Sequence, residues 1–355
     1  MRDLRGFLLD GQVIPAHPLA LDGNRKLSEG HQRALARYYV AAGAGGIAVG
    51  VHSTQFEIRD PRHGLFEPVL AMAAETADAA LEGTSREFAK IAGVCGRTPQ
   101  AVREAETARG LGYHAVLVSM TSVQGDSTDD ILFHCRAIGE ILPIIGFYLQ
   151  PSVGGRVYPY AFWRRFMEIP SLVAVKIAPF NRYQTLDVVR AAVESGRDDV
   201  ALYTGNDDTI IADLLTPFCF PQEGKPAGGG ENSERWIVGG LLGQWGVGTR
   251  KAVELLGEIK AERAGGRISR DWLTRAAALT DYNGALFDAA NGFSGCIPGI
   301  HEVLRRQGLL PGVLCLNPQE ALSPGQEEEI TRVRRSYPQF DDDRFIADHL
   351  EEWLS

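Results

Sequence analysis

The chain has 355 residues, 45% of them hydrophobic and 23% charged, with a formal net charge of −9. The acidic balance and the lack of a basic block speak against nucleic acid as a partner, and no run approaches the ~18 apolar residues of a membrane span. The start, Met1-Arg2-Asp3-Leu4-Arg5-Gly6, has no signal-peptide core, and five scattered cysteines without CxxC spacing indicate neither a zinc site nor a disulfide framework but a reducing cytoplasm.

Strand and helix patterns alternate through the first two thirds. The strands are short apolar runs: 11–16, 45–51, 89–94, 115–118, 143–148, 171–178 and 200–203. Amphipathic helices are expected over 27–42 with Ser28 as N-cap, 68–81, 99–109 capped by Thr98, 127–141, 160–168, 184–194 and from Thr209 to Leu215. Seven strands apolar throughout, with helical crossovers every 25–40 residues or so, point to a parallel sheet closed as a (β/α)8 TIM barrel. An eighth strand is expected near Arg235–Gly240. Before it, 220–233 holds Pro221, Pro226 and three successive glycines, a loop that is either a lid or a surface insertion. From Leu241 no strand pattern returns. Helices over 249–262, 269–291 and 298–307 make a C-terminal helical domain. The expected division is therefore a barrel over 1–240, a helical domain over 241–310 and a charged extension over 311–355. The acidic runs 327–329 and 341–343 are expected to be solvated faces. Phe345–Leu354 is expected to be one amphipathic helix docked on this barrel or on a neighbour.

In a βα barrel the chemistry sits at the C-terminal ends of the strands. Strand six, Leu172-Val173-Ala174-Val175-Lys176-Ile177-Ala178, brings a lysine to that end. A buried amine loses its charge more readily and becomes a nucleophile for a carbonyl carbon; otherwise it snorkels to water. Strand five brings Tyr148, whose phenol beside such an amine could shuttle protons; alone it would be a packed rim residue. Strand two brings His52, Ser53 and Thr54, which could orient a carboxylate or, for His52, move a proton. Strand seven brings Thr204, Gly205, Asn206, Asp207 and Asp208. Asp207 or Asp208 is read as the cap of the following helix, and a metal pair is set aside because no His or Glu stands at matching spacing.

The order Val13-Ile14-Pro15-Ala16, Gly45-Gly46-Ile47 with Gly50, Tyr148-Leu149-Gln150-Pro151, Val173-Ala174-Val175-Lys176 and Thr204-Gly205-Asn206-Asp207 resembles the dihydrodipicolinate synthase and N-acetylneuraminate lyase family of class I aldolase-type lyases. The likeness spans roughly residues 8–310. Its specific parts are the tyrosine-x-x-proline and the lysine 28 positions beyond the tyrosine. The resemblance implies that Lys176 forms a Schiff base with pyruvate or another 2-oxo acid, that Tyr148 shuttles protons, that His52, Ser53, Thr54, Gly205 and Asn206 bind substrate, and that no metal or organic cofactor takes part. It also implies a homo-oligomer, a tetramer or dimer. The sequence departs from the family at three places. Its Gly-Thr-Thr-Gly-Glu loop is replaced by Gly50-Val51-His52-Ser53-Thr54-Gln55, where either Val51 and His52 or Ser53 and Thr54 stand for the threonine pair. The stretch after strand four, Ser119–Val123, has no tyrosine pair. Two residues past the proline stands Val153 instead of arginine, with Arg156 nearby, which tells against lysine biosynthesis itself.

Three functions follow as alternatives: a Schiff-base lyase acting on a 2-oxo acid and an aldehyde, a metal-assisted hydrolase on the same scaffold, or a catalytically altered barrel that binds 2-oxo acids as a regulatory protein.

Overall fold

A computed structural model describes residues 1, 3–220 and 234–355. In chain order the elements are α1 (Leu4–Leu9), β1 (Val13–Pro15), α2 (Glu29–Ala41), β2 (Gly46–Val49), α3 (Phe66–Ala80), β3 (Ala89–Val94), α4 (Thr98–Gly110), β4 (Ala115–Val118), α5 (Thr128–Gly139), β5 (Ile144–Leu149), α6 (Tyr160–Phe166), β6 (Leu172–Ala178), α7 (Arg182–Ser195), β7 (Ala201–Thr204), α8 (Ile210–Leu215), β8 (Gly239–Leu242) and α9 (Thr249–Ala264). All strand pairs are parallel, in the order β1-β8-β7-β6-β5-β4-β3-β2. The ring closes between β2 and β1 through an Ala16–Ala48 bridge, the His17 N–H on the Ala48 carbonyl at 2.8 Å and the Gly45 N–H on the Val13 carbonyl at 3.0 Å. The expected TIM barrel is thus the observed fold.

Alternation along the strands sorts side chains into two cores. Ile14, Ala48, Ile91, Leu117, Ile145, Phe147, Ala174, Ala201 and Tyr203 fill the barrel. Val49, Val94, Val116, Tyr148, Val175, Ile177 and Leu202 face outward into the layer shared with the helices.

Two elements differ from expectation. Helix α1 closes the N-terminal end of the barrel, where Tyr203 Oη donates to the Leu8 carbonyl at 2.8 Å and accepts from the Gln12 N–H at 3.1 Å. The eighth strand is Gly239–Leu242, later than the expected 235–240. Its glycines carry no hydrophobic signal because there is no room for one: a Cβ would lie 2.5 Å from the Gln12 carbonyl at Gly239 and 2.6 Å from Trp245 at Gly240. The expected loop at 220–233 lies, beyond Phe220, outside the described residues.

Helix α9 follows β8 and completes the outer ring, with Lys260 Nζ on the Gly11 carbonyl at 2.8 Å. Then come α10 (Asp271–Leu286), α11 (Cys296–Arg306), α12 (Gln326–Ser336), α13 (Asp343–Ala347) and α14 (Leu350–Leu354). The end of the chain is two short helices, not one, because Asp348 and His349 interrupt them. They dock on this chain's own α2, where Trp353 and Phe345 pack on Tyr38 with centroids 5.6 and 6.3 Å away. The 341–343 run is not a solvated face. Asp342 is buried and accepts from Tyr38 Oη at 2.6 Å and from the Arg250 and Lys251 N–H groups at 2.7 and 3.1 Å.

Candidate active site

Lys176 lies on the inner face of β6, in register with Phe147 of β5 and Tyr203 of β7. It is 8% exposed and its Nζ sits 4.4 Å from the Phe147 ring centroid. Among the described residues it makes no ion pair. Burial lowers its pKa to about 8, with Asp207 and Cys296 pulling the other way. The other buried strand lysine, Lys90, is different: its Nζ is held by both Asp78 oxygens at 2.7 and 2.6 Å.

A cleft of about 590 Å³, open solvent at its mouth included, lies over Lys176. Its polar lining is Lys176, Asp207, His52, Ser53, Gln150 and Cys296. Gly205 also lines it and makes space for the amine, since a Cβ there would sit 2.7 Å from Lys176 Cε.

Asp207 is the cleft residue that the sequence pattern offered only as a helix cap. It does not cap α8, whose N-cap is Thr209. Its Oδ1 receives only a long 3.4 Å bond from the Gln244 N–H. Burial raises its pKa to about 7, opposed by Lys176. Burial therefore pushes both members of the pair toward their uncharged forms, an amine and a carboxylic acid. The available signal was its place at the end of β7, beside the lysine strand.

Asn206 does not reach the cleft. Its side chain accepts from the Phe180 N–H at 2.9 Å and donates to Thr185 Oγ1 at 3.1 Å and Asp213 Oδ2 at 2.9 Å. It is a positioning residue that ties the β6–α7 loop to β7, and the substrate-binding expectation is corrected.

In the strand-two loop, Val51, His52 and Ser53 line the cleft and Thr54 does not. The Thr54 hydroxyl is used within the fold, donating to the His17 carbonyl at 2.6 Å and accepting from the Gly50 N–H at 3.0 Å. Of the two pairings of threonine substitutes expected from the sequence, Val51 and His52 both line the cleft, whereas Ser53 lines it without Thr54. Ser53 Oγ is buried with no hydrogen-bond partner, a group left for something that enters the cleft. Burial, then the nearby Lys176, lower the His52 pKa to about 4, so this imidazole is neutral near pH 7.

Tyr148 does not meet Lys176. Its register partner is Ile177, one residue on from the lysine, so its ring turns outward. There it packs on Trp163, 4.9 Å between centroids. Its Oη accepts from the Tyr158 N–H at 3.2 Å and is 3.4 Å from the Tyr158 carbonyl. Tyr148 is absent from the cleft lining, where β5 contributes Phe147 and Leu149. The expected proton shuttle is thereby corrected. The spacing to Lys176 located the strand end, but the pleat decides which face a residue takes.

The mouth is apolar. Phe180 from the β6–α7 loop, Phe287 and Phe293 from the α10–α11 segment, Ile300 from α11, and Leu149 and Val153 from β5 and its loop surround it. Arg156 is turned away, with its guanidinium on the Gln124 and Asp126 carbonyls and over the Tyr158 ring. Among the described residues no arginine lines the cleft, and none of their His, Cys, Asp and Glu side chains form a group of three or more suited to a metal ion. No described helix is long and apolar enough to cross a membrane.

No protein-family model matches the sequence, and no curated protein matches it either. Solved structures do. The fold is similar to that of a chloride-inhibited dihydrodipicolinate synthase from Acinetobacter baumannii complexed with pyruvate, with a TM-score of 0.71 at 16% identity over 92% of this chain and 99% of that one. A dihydrodipicolinate synthase from Oceanobacillus iheyensis gives 0.70 at 17% over 95% and 99%. An N-acetylneuraminate lyase from Fusobacterium nucleatum gives 0.68 at 15% over 93% and 99%. At these identities the likeness is one of fold.

Proposed function

We propose that the protein is a Schiff-base-forming lyase, an aldolase or dehydratase acting on pyruvate or a related 2-oxo acid, with Lys176 as the nucleophile. The observation that carries this is an amine with no ion-pair partner among the described residues, buried on the inner face of the barrel beneath a cleft at its C-terminal mouth. The similar structures include one holding pyruvate, which supports the substrate class. That no arginine of the described residues lines the cleft supports an activity other than dihydrodipicolinate synthesis.

The neutral amine adds to the C2 carbonyl, and the carbinolamine takes a proton and loses water to leave an iminium. In the cleavage direction the Asp207 carboxylate left by water loss takes the C4 hydroxyl proton, the C3–C4 bond breaks with its electron pair moving into the iminium, and Asp207 then holds the proton that C3 of the enamine receives. The aldehyde departs, and the enamine is protonated at C3 and hydrolysed back to the amine. Asp207, held partly protonated, gives the proton needed for water loss and receives it again at hydrolysis. The substrate carboxylate is placed against Ser53 and the neutral His52. This assignment needs no group beyond the side chains present.

Borohydride reduction in the presence of pyruvate, 2-oxobutyrate and longer 2-oxo acids tests it. A mass increase equal to the reduced imine is expected on Lys176 and not on Lys176→Ala. No adduct with any of them ends the proposal. A second reading, a 2-oxo acid binding or regulatory barrel, draws on Phe147, because the ring facing the amine carries no hydroxyl. It predicts a trapped adduct with no aldehyde formed or consumed.

A further inference from the structure

Six apolar side chains crowd the cleft mouth beyond the reacting amine, and two of them hold backbone conformations that side chains avoid. Phe180 has φ +50° and Phe293 φ +69°, in the left-handed region that bulky side chains avoid. Each is held there by buried polar groups. The Phe180 N–H donates to Asn206 Oδ1 at 2.9 Å. The turn that carries Phe293 is gathered by Asp288, whose carboxylate accepts from the Gly295 N–H at 2.9 Å, Asn291 Nδ2 at 2.6 Å and Ser323 Oγ at 2.5 Å. The two rings meet with centroids 5.5 Å apart, and both line the cleft together with Phe287 and Ile300.

Four groups of the polar lining stand at or just past the strand ends around the amine, and the other two, Gln150 and Cys296, stand in the segments that carry the mouth residues. Lys176, Asp207, His52 and Ser53 are the groups the proposed chemistry already uses. Of the remainder, Gln150 is an uncharged amide and burial keeps the Cys296 thiol protonated.

Resting on the Schiff-base reading above, we infer that the aldehyde joined to or released from the enamine is apolar, of aryl or branched-alkyl type, and that its side chain lies beneath Phe180, Phe287 and Phe293. A polyhydroxylated aldehyde would place several hydroxyls against phenyl rings with the Gln150 amide as the one uncommitted polar side chain of the described lining besides the Cys296 thiol. An aldehyde ending in a carboxylate would bury that charge where no arginine or second lysine of the described residues lines the wall. An aryl aldehyde loses nothing there and gains edge or offset contacts with the rings.

The test uses the full chain with pyruvate and a panel of aldehydes: benzaldehyde, isovaleraldehyde, D-glyceraldehyde, D-erythrose and succinic semialdehyde. Trapping with pyruvate and the longer 2-oxo acids alone, by borohydride and mass spectrometry, is run beside it. The expected result is a Lys176 adduct in the trapping arm, and kcat/KM for benzaldehyde and isovaleraldehyde at least about tenfold above that for the other three, the order of discrimination an apolar pocket achieves. Phe293→Ser is expected to shrink that ratio, chiefly through KM for the apolar aldehydes. An adduct with a preference for glyceraldehyde, erythrose or the semialdehyde overturns the inference and leaves the Schiff-base reading standing. An adduct with no aldehyde consumed overturns it in favour of a binding protein. No adduct with pyruvate or with any of the longer 2-oxo acids removes the Schiff-base reading, and the inference with it.

Discussion

Lys176 and Lys90 are both lysines on buried strands, and they differ in whether a carboxylate grips the amine. Lys90 has Asp78 at 2.6 Å; Lys176 faces Asp207 without a contact pair, and burial moves the two pKa values to about 8 and about 7. At pH 7 an amine of pKa 8 is about 10% free, against ~0.03% for an ordinary lysine. The free amine increases as pH rises through 8, while the protonated acid is lost as pH rises through 7. Imine turnover is therefore expected to follow a bell centred between these values, as macroscopic constants of the pair. In Asp207→Asn the acid that sets the high-pH limb is gone. That limb should be lost, leaving a rate that rises with the free amine to a plateau, and turnover should fall roughly 10²–10⁴-fold. A pH–rate profile of unchanged shape and height in the variant would show that Asp207 is a bystander. Tyr148→Phe makes the contrasting case. The phenol is sealed in the helix layer, so the variant is expected to keep trapping and turnover within about threefold. It should lose about 1 kcal/mol of stability from its bonds to Tyr158. A turnover loss of a hundredfold with intact stability would return the proton shuttle to Tyr148.

At the scale of elements, the parallel strands were readable because they are buried on both faces. Ala89–Val94 and Ala115–Val118 have the same limits in the sequence pattern and in the structure. What a pattern of period two does not carry is its phase. Tyr148 and Phe147 adjoin in the same strand, and a register shift between Ile144 and Ile145 separates a simple count along the strand from the observed face. Asp207 was misread because an aspartate ahead of a helix is most often a cap, and only the closed barrel brings it to the amine. Asp342 was missed for the opposite reason, since a triplet of acids reads as solvated. Helix α9 begins at Thr249 after Gly248, which has no side chain to cap with and no room for one, as a Cβ there would lie 2.3 Å from the Phe340 carbonyl. Asp342, nearly a hundred residues on, takes the Arg250 and Lys251 N–H groups instead. Asp342→Ala should therefore cost roughly 2–4 kcal/mol, the loss of a cap plus a buried charged hydrogen bond from Tyr38. It should also free α13 and α14, which urea unfolding and limited proteolysis near 337–349 would report. Unchanged cleavage there would mean that the aromatic cluster of Tyr38, Phe345 and Trp353 holds the tail without the cap.

The whole molecule is a barrel closed at one end by α1 and roofed at the other by α10 and α11, with the last 45 or so residues strapped back over it. His301 sits where roof and strap meet. It lies on α11, fully buried, with Nδ1 3.4 Å from the Val313 carbonyl and Nε2 without a partner. Burial lowers its pKa to about 4, with the backbone carbonyls of Val313 and Leu314 opposing. Above pH 6.5 the ring is neutral both folded and unfolded, and it adds no pH dependence. As pH falls from 6.5 toward 4 the unfolded chain takes a proton that the folded chain refuses, so stability is lost across that window. Below 4 both states are protonated and the loss stops. The difference corresponds to roughly 3 kcal/mol. Buried acids with raised pKa values, Asp207 and Asp341 among them, act in the opposite sense over part of the same range, so the total pH profile does not isolate one histidine. A comparison with His301→Asn does, because it removes this titration and leaves the others. The variant is expected to be the less stable protein at pH 7, where an imidazole packed between roof and strap has been lost. Its disadvantage should shrink by about 2 kcal/mol between pH 6.5 and 4.5, read from urea unfolding at both values. A constant difference across that range would mean that His301 finds water or a proton acceptor in the folded chain, and that the contact between roof and strap is looser than its burial shows.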